Sequence, residues 1–234
     1  MATSGVSEDK YRSYLSEEEL KTAQWNAGPP NYDVVNKLFE EGRTKVWTAG
    51  SLEEQVQNLV KTWEMEICPR PIQMTSKQLM LRSLFLVSMV SKKIFSLEDI
   101  GRIGGSYNMF LQTSLPPALR SYDPDQETYE SSQSALKRVF PRGFAVEILQ
   151  LYSGPPVIAY KFRHWGYMEG PFQGYAPTGE LVEFFGTAII EMENSKVVKV
   201  EFFYDRGELL AQLIKGEKSG ESASNAPSAC PFLA

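Results

Sequence analysis

The sequence predicts an α+β fold, with helices up to Phe140 and an antiparallel sheet after it. Three observations predict it. Apolar residues before Phe140 recur at helical spacing. From Phe144 the chain changes to runs rich in β-branched and aromatic residues. Those runs are joined by short turns, Ser153-Gly154-Pro155-Pro156 and Glu193-Asn194-Ser195-Lys196, so neighbouring strands are antiparallel.

Residues 1–30 form a polar N-terminal arm, with a short charged helix predicted over Ser16–Gln24. Gly28-Pro29-Pro30 stops it, because proline lacks the amide donor and restricts the residue before it. The folded domain spans residues 31–216. Asn31 is its first N-cap, Val34, Val35, Leu38 and Phe39 follow at helical spacing, and Gly42 ends the pattern. Ser51-Leu52-Glu53-Glu54 is a capping box ahead of the stripe Leu52, Val56, Leu59 and Val60. A third helix is predicted over Leu97–Leu111, weakened by Gly101, Gly104 and Gly105. This glycine run lacks the preceding strand and the following Lys-Ser/Thr of a phosphate cradle. A fourth helix is predicted over Asp125–Phe140, closed by Pro141 and Gly143. Strands follow over Phe144–Tyr152, Val157–Trp165, Leu181–Met192 and Val197–Tyr204, then a short helix over Glu208–Ile214. Residues 217–234 are a flexible tail, too polar to fold alone.

Of the 234 residues, 42% are hydrophobic and 23% charged, enough for a true core. The net charge of -5 excludes a sequence-independent nucleic-acid binder, which needs clustered Lys and Arg. No apolar run is long enough to cross a membrane, and Met1–Lys10 lacks the apolar stretch of an export signal. Cys68 and Cys230 are too isolated for a disulfide framework or a metal site, so the chain reads as reduced and cytoplasmic. One histidine and two separate cysteines build no zinc site, and no cofactor or metal is expected.

The stretch from Gly166 through Gly170, Phe172 and Gly174 to Pro177-Thr178-Gly179 resembles the hallmark of the SnoaL-like polyketide cyclases. These belong to the nuclear-transport-factor-2-like superfamily. A closer resemblance is to the plant pathogen-related proteins. It rests on Leu38–Thr44, Lys61–Glu66, Phe140–Ala145, Phe162–Gly166 and the Cys-Pro-Phe tail. It implies a cone: a strongly curved antiparallel sheet with N-terminal helices packed in its concavity. Curvature is expected from Gly166, Gly170, Gly174 and Gly186. A concave apolar pocket is the default ligand site. The resemblance also implies a homodimer through the open sheet face and induction during plant defence.

His164 is the only histidine, so a histidine general base must be this one. Strand alternation puts Tyr160, Phe162, His164, Gly166 and Met168 on one face, which the resemblance makes the pocket face. With Phe184 and Ala188 they are the expected ligand-binding residues. In SnoaL-like cyclases a His typically stands in the place of Met168 and an Asp in that of Ala188. Neither residue here transfers a proton. The resulting expectation is a binder of a small apolar or aromatic metabolite. The alternatives are a cofactor-free lyase, isomerase or cyclase, or a dimeric interaction protein in defence. The enzyme reading uses His164 with Glu201 or Tyr204, which alternation puts on opposite faces of one strand. Glu183 and Glu191 face away from Ala188, toward solvent.

One segment breaks the resemblance. Pro69–Leu97 contains none of the chain's 29 acidic residues and carries a dense apolar run over Leu79–Val90. Shifted by two nucleotides, Met74–Val90 can read as an acidic, strand-like stretch ending in Ser-Val-Asn-Gly, as the similar proteins have here. Cys68–Val90 is therefore read as translated out of frame, with poor packing or an exposed apolar helix as the consequence.

Overall fold

The computed structural model describes residues 9–11, 31–67, 85–88 and 94–218. The arm helix expected over Ser16–Gln24, both cysteines, residues 219–234 of the tail and most of the segment read as out of frame lie outside them.

One six-stranded sheet organises the chain. Its strands are β1 (Phe85–Ser88), β2 (Ile94–Ser96), β3 (Ala145–Ser153), β4 (Val157–Tyr167), β5 (Leu181–Glu193) and β6 (Lys196–Tyr204), in the order β2-β1-β6-β5-β4-β3. The predicted meander β3–β6 is antiparallel throughout. Asn194 and Ser195 turn it with positive φ, as a tight hairpin demands. The meander was legible because each strand is longer than its turn. Strand β1 was not legible. It runs parallel to β6 and reaches it by a long connection, so no local turn records the pairing.

Curvature has a different source from the glycines. The β4–β5 ladder runs without a break past Gly166 and Gly186. The breaks lie elsewhere: one between β5 and β6, from Glu191–Lys199 to Met192–Val197, and two in β3, where the register steps from Ile148–Phe162 to Gln150–Lys161 and from Leu151–Tyr160 to Ser153–Ala159. The extra residues, Leu149 and Tyr152, bulge and bend the strand. Gly186 serves close packing instead: a Cβ there would lie 2.5 Å from the Phe162 ring and 2.7 Å from the Phe203 carbonyl oxygen.

The first two helices, α1 (Asp33–Gly42) and α2 (Leu52–Ile67), form where expected. The N-cap of α1 is Tyr32, not Asn31 as expected, although the Asn31 side chain accepts from the Asp33 amide at 2.8 Å. Ser51 accepts from the Glu54 amide, while the Glu54 carboxylate reaches back to the Gly50 amide. The predicted third helix is two: α3 (Leu97–Arg102) and α4 (Gly105–Phe110). Gly104 and Gly105 have φ of +91° and +86°, outside helical geometry, so the glycines break the helix. The fourth, α5 (Tyr129–Val139), starts later than expected because Thr128 caps it in a box with Ser131. Asp205 caps the last, α6 (Arg206–Leu213), by accepting from the Gly207 and Glu208 amides.

Two cores result. The larger lies on the inward face of β3–β6, under α2, α4, α5 and α6. The smaller joins Tyr11, Leu38 and Phe39 to Ala145 and Trp165 on the opposite face, so α1 packs outside the concavity. Phe39 stacks on Trp165 with centroids 6.0 Å apart. Helix α2 straddles the free edge of β3. Val56 and Val60 enter the larger core, while the Lys61 ammonium lies 3.3 Å from the Phe39 ring centroid and 4.1 Å from that of Tyr11.

Candidate functional site

The inward face of the sheet is aromatic, because strand alternation brings every second residue of four neighbouring strands to one side. His164 pairs with Phe184, Ala188 with Tyr160 and Phe202, and Gly186 with Phe162 and Tyr204. The rings meet accordingly. Phe144 and Phe184 each lie nearly parallel to the His164 imidazole, with centroids 5.4 and 5.2 Å away. Phe162 meets His164, Phe184 and Phe202 edge-on. Phe184 touches Tyr204, whose ring also meets Phe110 of α4.

The expected ligand-binding residues do assemble. Tyr160, Phe162, Met168, Phe184 and Ala188 are buried in one continuous core, and the half-buried His164 stacks on Phe184. Met168 and Ala188 are fully buried, so apolar groups fill both positions where the resemblance would put the acid and base.

His164 does not have the environment of a neutral-pH base. Its Nδ1 is closed off from solvent among aromatic rings. Burial pushes the imidazole down from its ordinary 6.5 to about 3, opposed in part by a hydrogen bond with the Ala145 backbone. Of the two expected partners, only Tyr204 shares its face of the sheet. Tyr204 faces inward, but its hydroxyl donates to the Phe110 carbonyl oxygen at 2.5 Å, and the Phe184 ring adjoins both residues. Glu201 is on the opposite face, 3.1 Å from Lys199. The reason is parity: Phe202 and Tyr204 pair with Ala188 and Gly186 on the inward side, which leaves Glu201 opposite Ile189 on the outward side.

The outward acids are not simply solvated. Glu183 accepts from Arg163 Nε at 2.6 Å, and Glu191 from Lys199 at 2.8 Å. Arg163 also reaches Glu147 at 3.2 Å and lies over the Trp165 ring. Glu147 is 1% exposed and accepts from the Thr44 and Lys45 amides. Arg163 is thus committed to pinning the α1–α2 connection to the sheet.

Sequence reasoning missed three residues of this region. Phe144 shares the parity of Val146 and could have been found from it. Phe110 enters only because the glycine break redirects α4. Arg206 gives no signal, since an Arg after an N-cap Asp reads as an exposed first-turn residue. In the structure it is buried, and its Nε donates to the Leu111 carbonyl oxygen at 2.8 Å. Among the described residues no group of three His, Cys, Asp or Glu could hold a metal ion. Among the same residues no helix is long and apolar enough to cross a membrane.

Residues 126–213 match the family model of the SnoaL-like polyketide cyclase. The chain is 49% identical over 231 residues to a pathogen-related protein of Hordeum vulgare, covering 97% of each chain. Among solved structures it is similar to a protein from Acidithiobacillus ferrooxidans described as a polyketide cyclase. That match has 10% identity and a TM-score of 0.43, and covers 73% of this chain and 100% of the other. It is also similar to a Catenulispora acidiphila protein with a ketosteroid isomerase-like fold. There the identity is 9% and the TM-score 0.39, with 66% and 91% covered. The last two are likenesses of fold only.

Proposed function

The chain belongs to the pathogen-related protein family of plants, and from that premise we propose that it binds a small apolar or aromatic metabolite on the inward face of its curved sheet. The observation that carries this reading is the joined set of rings, Phe144, Phe162, His164, Phe184 and Tyr204, with Met168 and Ala188 in place of an acid and a base. Offset and edge-on contacts between rings are favourable, so an aromatic guest exchanges one such contact for another. These side chains close the face against solvent, and a guest enters by parting them. Phe144 and His164, both half-buried, are the most exposed of these rings.

The test is a thermal-shift screen with plant aromatic extracts, followed by a structure with any stabilising compound. The expected result is a compound that raises the melting temperature and seats against Phe184. No stabilising compound, or one bound away from this face, would overturn the reading. A depressed His164, with Glu201 on the opposite face and the Tyr204 hydroxyl donating to the Phe110 carbonyl, favours binding over proton-transfer catalysis.

A second reading, association of two copies through the outward sheet face, is favoured by one observation. Phe185 is 48% exposed in the middle of β5, flanked by the partly exposed Phe203 and Ile189. Light scattering should then report a dimer that Phe185→Lys reduces to a monomer; a monomer at high concentration would remove this reading. The name of the barley relative refers to pathogens, and we extend that association to this chain. Its transcript should rise on pathogen challenge, and flat levels across several challenges would refute the extension.

A further inference from the structure

We propose that Arg206 anchors an organic carboxylate, the monoanionic end of an aromatic ligand whose ring meets Tyr204 and Phe184. The proposal rests on the aromatic-face reading and adds the chemical class of the ligand.

The starting point is an unmet donor. Arg206 is 9% exposed and its Nη2 is buried with no hydrogen-bond partner. Buried polar groups nearly always find partners, and a buried charge without an opposite charge is costlier still. A cation at the C-terminal end of α4 is favourable in itself. The Leu111 carbonyl answers that role, but it occupies only Nε.

Among the described residues no carboxylate forms an ion pair with Arg206. Arg120, whose charge acts on Arg206, is itself held by Asp123 and Asp125 at 2.6 Å each, so both aspartates are already used. Tyr122 is close by, stacked on Phe172, and its hydroxyl donates to Asn108 Oδ1. Burial pushes that phenol well above its ordinary range, so it remains neutral. Among the described residues Arg206 therefore has no carboxylate counter-ion.

Position links this charge to the aromatic face. Tyr204 Oη and Arg206 Nε grip consecutive carbonyls, those of Phe110 and Leu111. The guanidinium thus adjoins the Tyr204 edge of the rings. A single guanidinium charge in apolar surroundings suits a monoanion; the second charge of a phosphate would be left uncompensated. A planar guanidinium suits a planar carboxylate.

The experiment is calorimetric titration of the full chain at pH 7 with benzoate and trans-cinnamate, against benzamide and cinnamamide. Each amide matches its acid in shape but lacks the charge. The expected result is acids binding at least about tenfold more tightly than amides, the scale of a hydrogen bond to a charged group. Arg206→Gln should abolish that preference while amide binding persists. Amides binding as well as acids would overturn the carboxylate proposal and leave the aromatic-face reading standing. A preference that survives in Arg206→Gln would do the same. Should Arg206→Gln not fold, the wild-type preference decides alone. Binding of neither class would overturn both.

Discussion

The His164 imidazole lies 5.2 Å from the Phe184 ring, centroid to centroid, with the two planes only 10° apart. It is packed as an aromatic neighbour, in surroundings that oppose its protonation. In the folded chain the ring should therefore stay neutral far below pH 6.5. NMR of the imidazole should show no titration between pH 5 and 8, with a midpoint near pH 3 if the fold persists there. A midpoint near 6.5 would refute the packing argument.

The same shift makes stability depend on pH with a definite sign. The unfolded chain takes up a proton near pH 6.5 that the folded chain resists until about pH 3. The contribution of His164 is complete above about pH 6.5 and is lost as the pH falls toward 3. His164→Phe should flatten this slope in urea denaturation carried out between pH 7 and 4. An unchanged slope would assign the acid sensitivity to other groups.

Gln57 takes the place of a strand that β3 lacks on its free side. Its Nε2 donates to the Val146 carbonyl at 3.2 Å and its Oε1 accepts from the Ile148 amide at 2.7 Å. Gln212 does the same for β5 beyond the end of β6, holding the Glu183 amide and carbonyl. Gln57→Leu leaves two buried backbone groups unmet and should cost about 1–3 kcal/mol. Gln212→Leu, less buried, should cost less. Equal and negligible losses would show that water serves these groups.

The buried Glu147 pairs with the half-buried Arg163, 3.2 Å away. Glu147→Ala leaves the Thr44 and Lys45 amides without their acceptor while Arg163 keeps Glu183, so it should destabilise by about 1–3 kcal/mol in chemical denaturation. It should also loosen the Thr44–Lys45 connection, seen as faster amide exchange there. A neutral substitution would mean that Glu183 alone suffices for Arg163.

Gly186→Ala places a methyl against the Phe162 ring and the Phe203 carbonyl. The expected loss is about 1–3 kcal/mol by overpacking, read as a lower urea midpoint. An unchanged midpoint would show that the sheet opens there easily.

Residues 68–84, 89 and 90 lie outside the described structure, and within the segment only Phe85–Ser88 is described, as strand β1. The out-of-frame reading is decided by cDNA. A compensating insertion and deletion around codons 68–93 is expected, and clean continuous codons would establish the segment as authentic.

Alone, the sequence determined what depends on near neighbours. Alternation in Val157–Tyr167 put Tyr160, Phe162 and His164 on one face, and short turns made β3–β6 a meander. Ser51 marked the start of α2. The glycine pair at 104 and 105 was visible as a weakness, and the structure shows it as a break. Tertiary structure decided what depends on pairing across long distances. Periodicity says which residues share a face, but not what covers it, so nothing local placed α1 on the Trp165 side or β1 parallel to β6. Nor could it say which of Glu201 and Tyr204 points inward, because that follows from the register with β5. Arg206 shows the limit most plainly. Its burial comes from the return of α4 and the Leu111 carbonyl onto the β6–α6 corner, a contact between residues 95 positions apart that leaves no trace in the sequence around it.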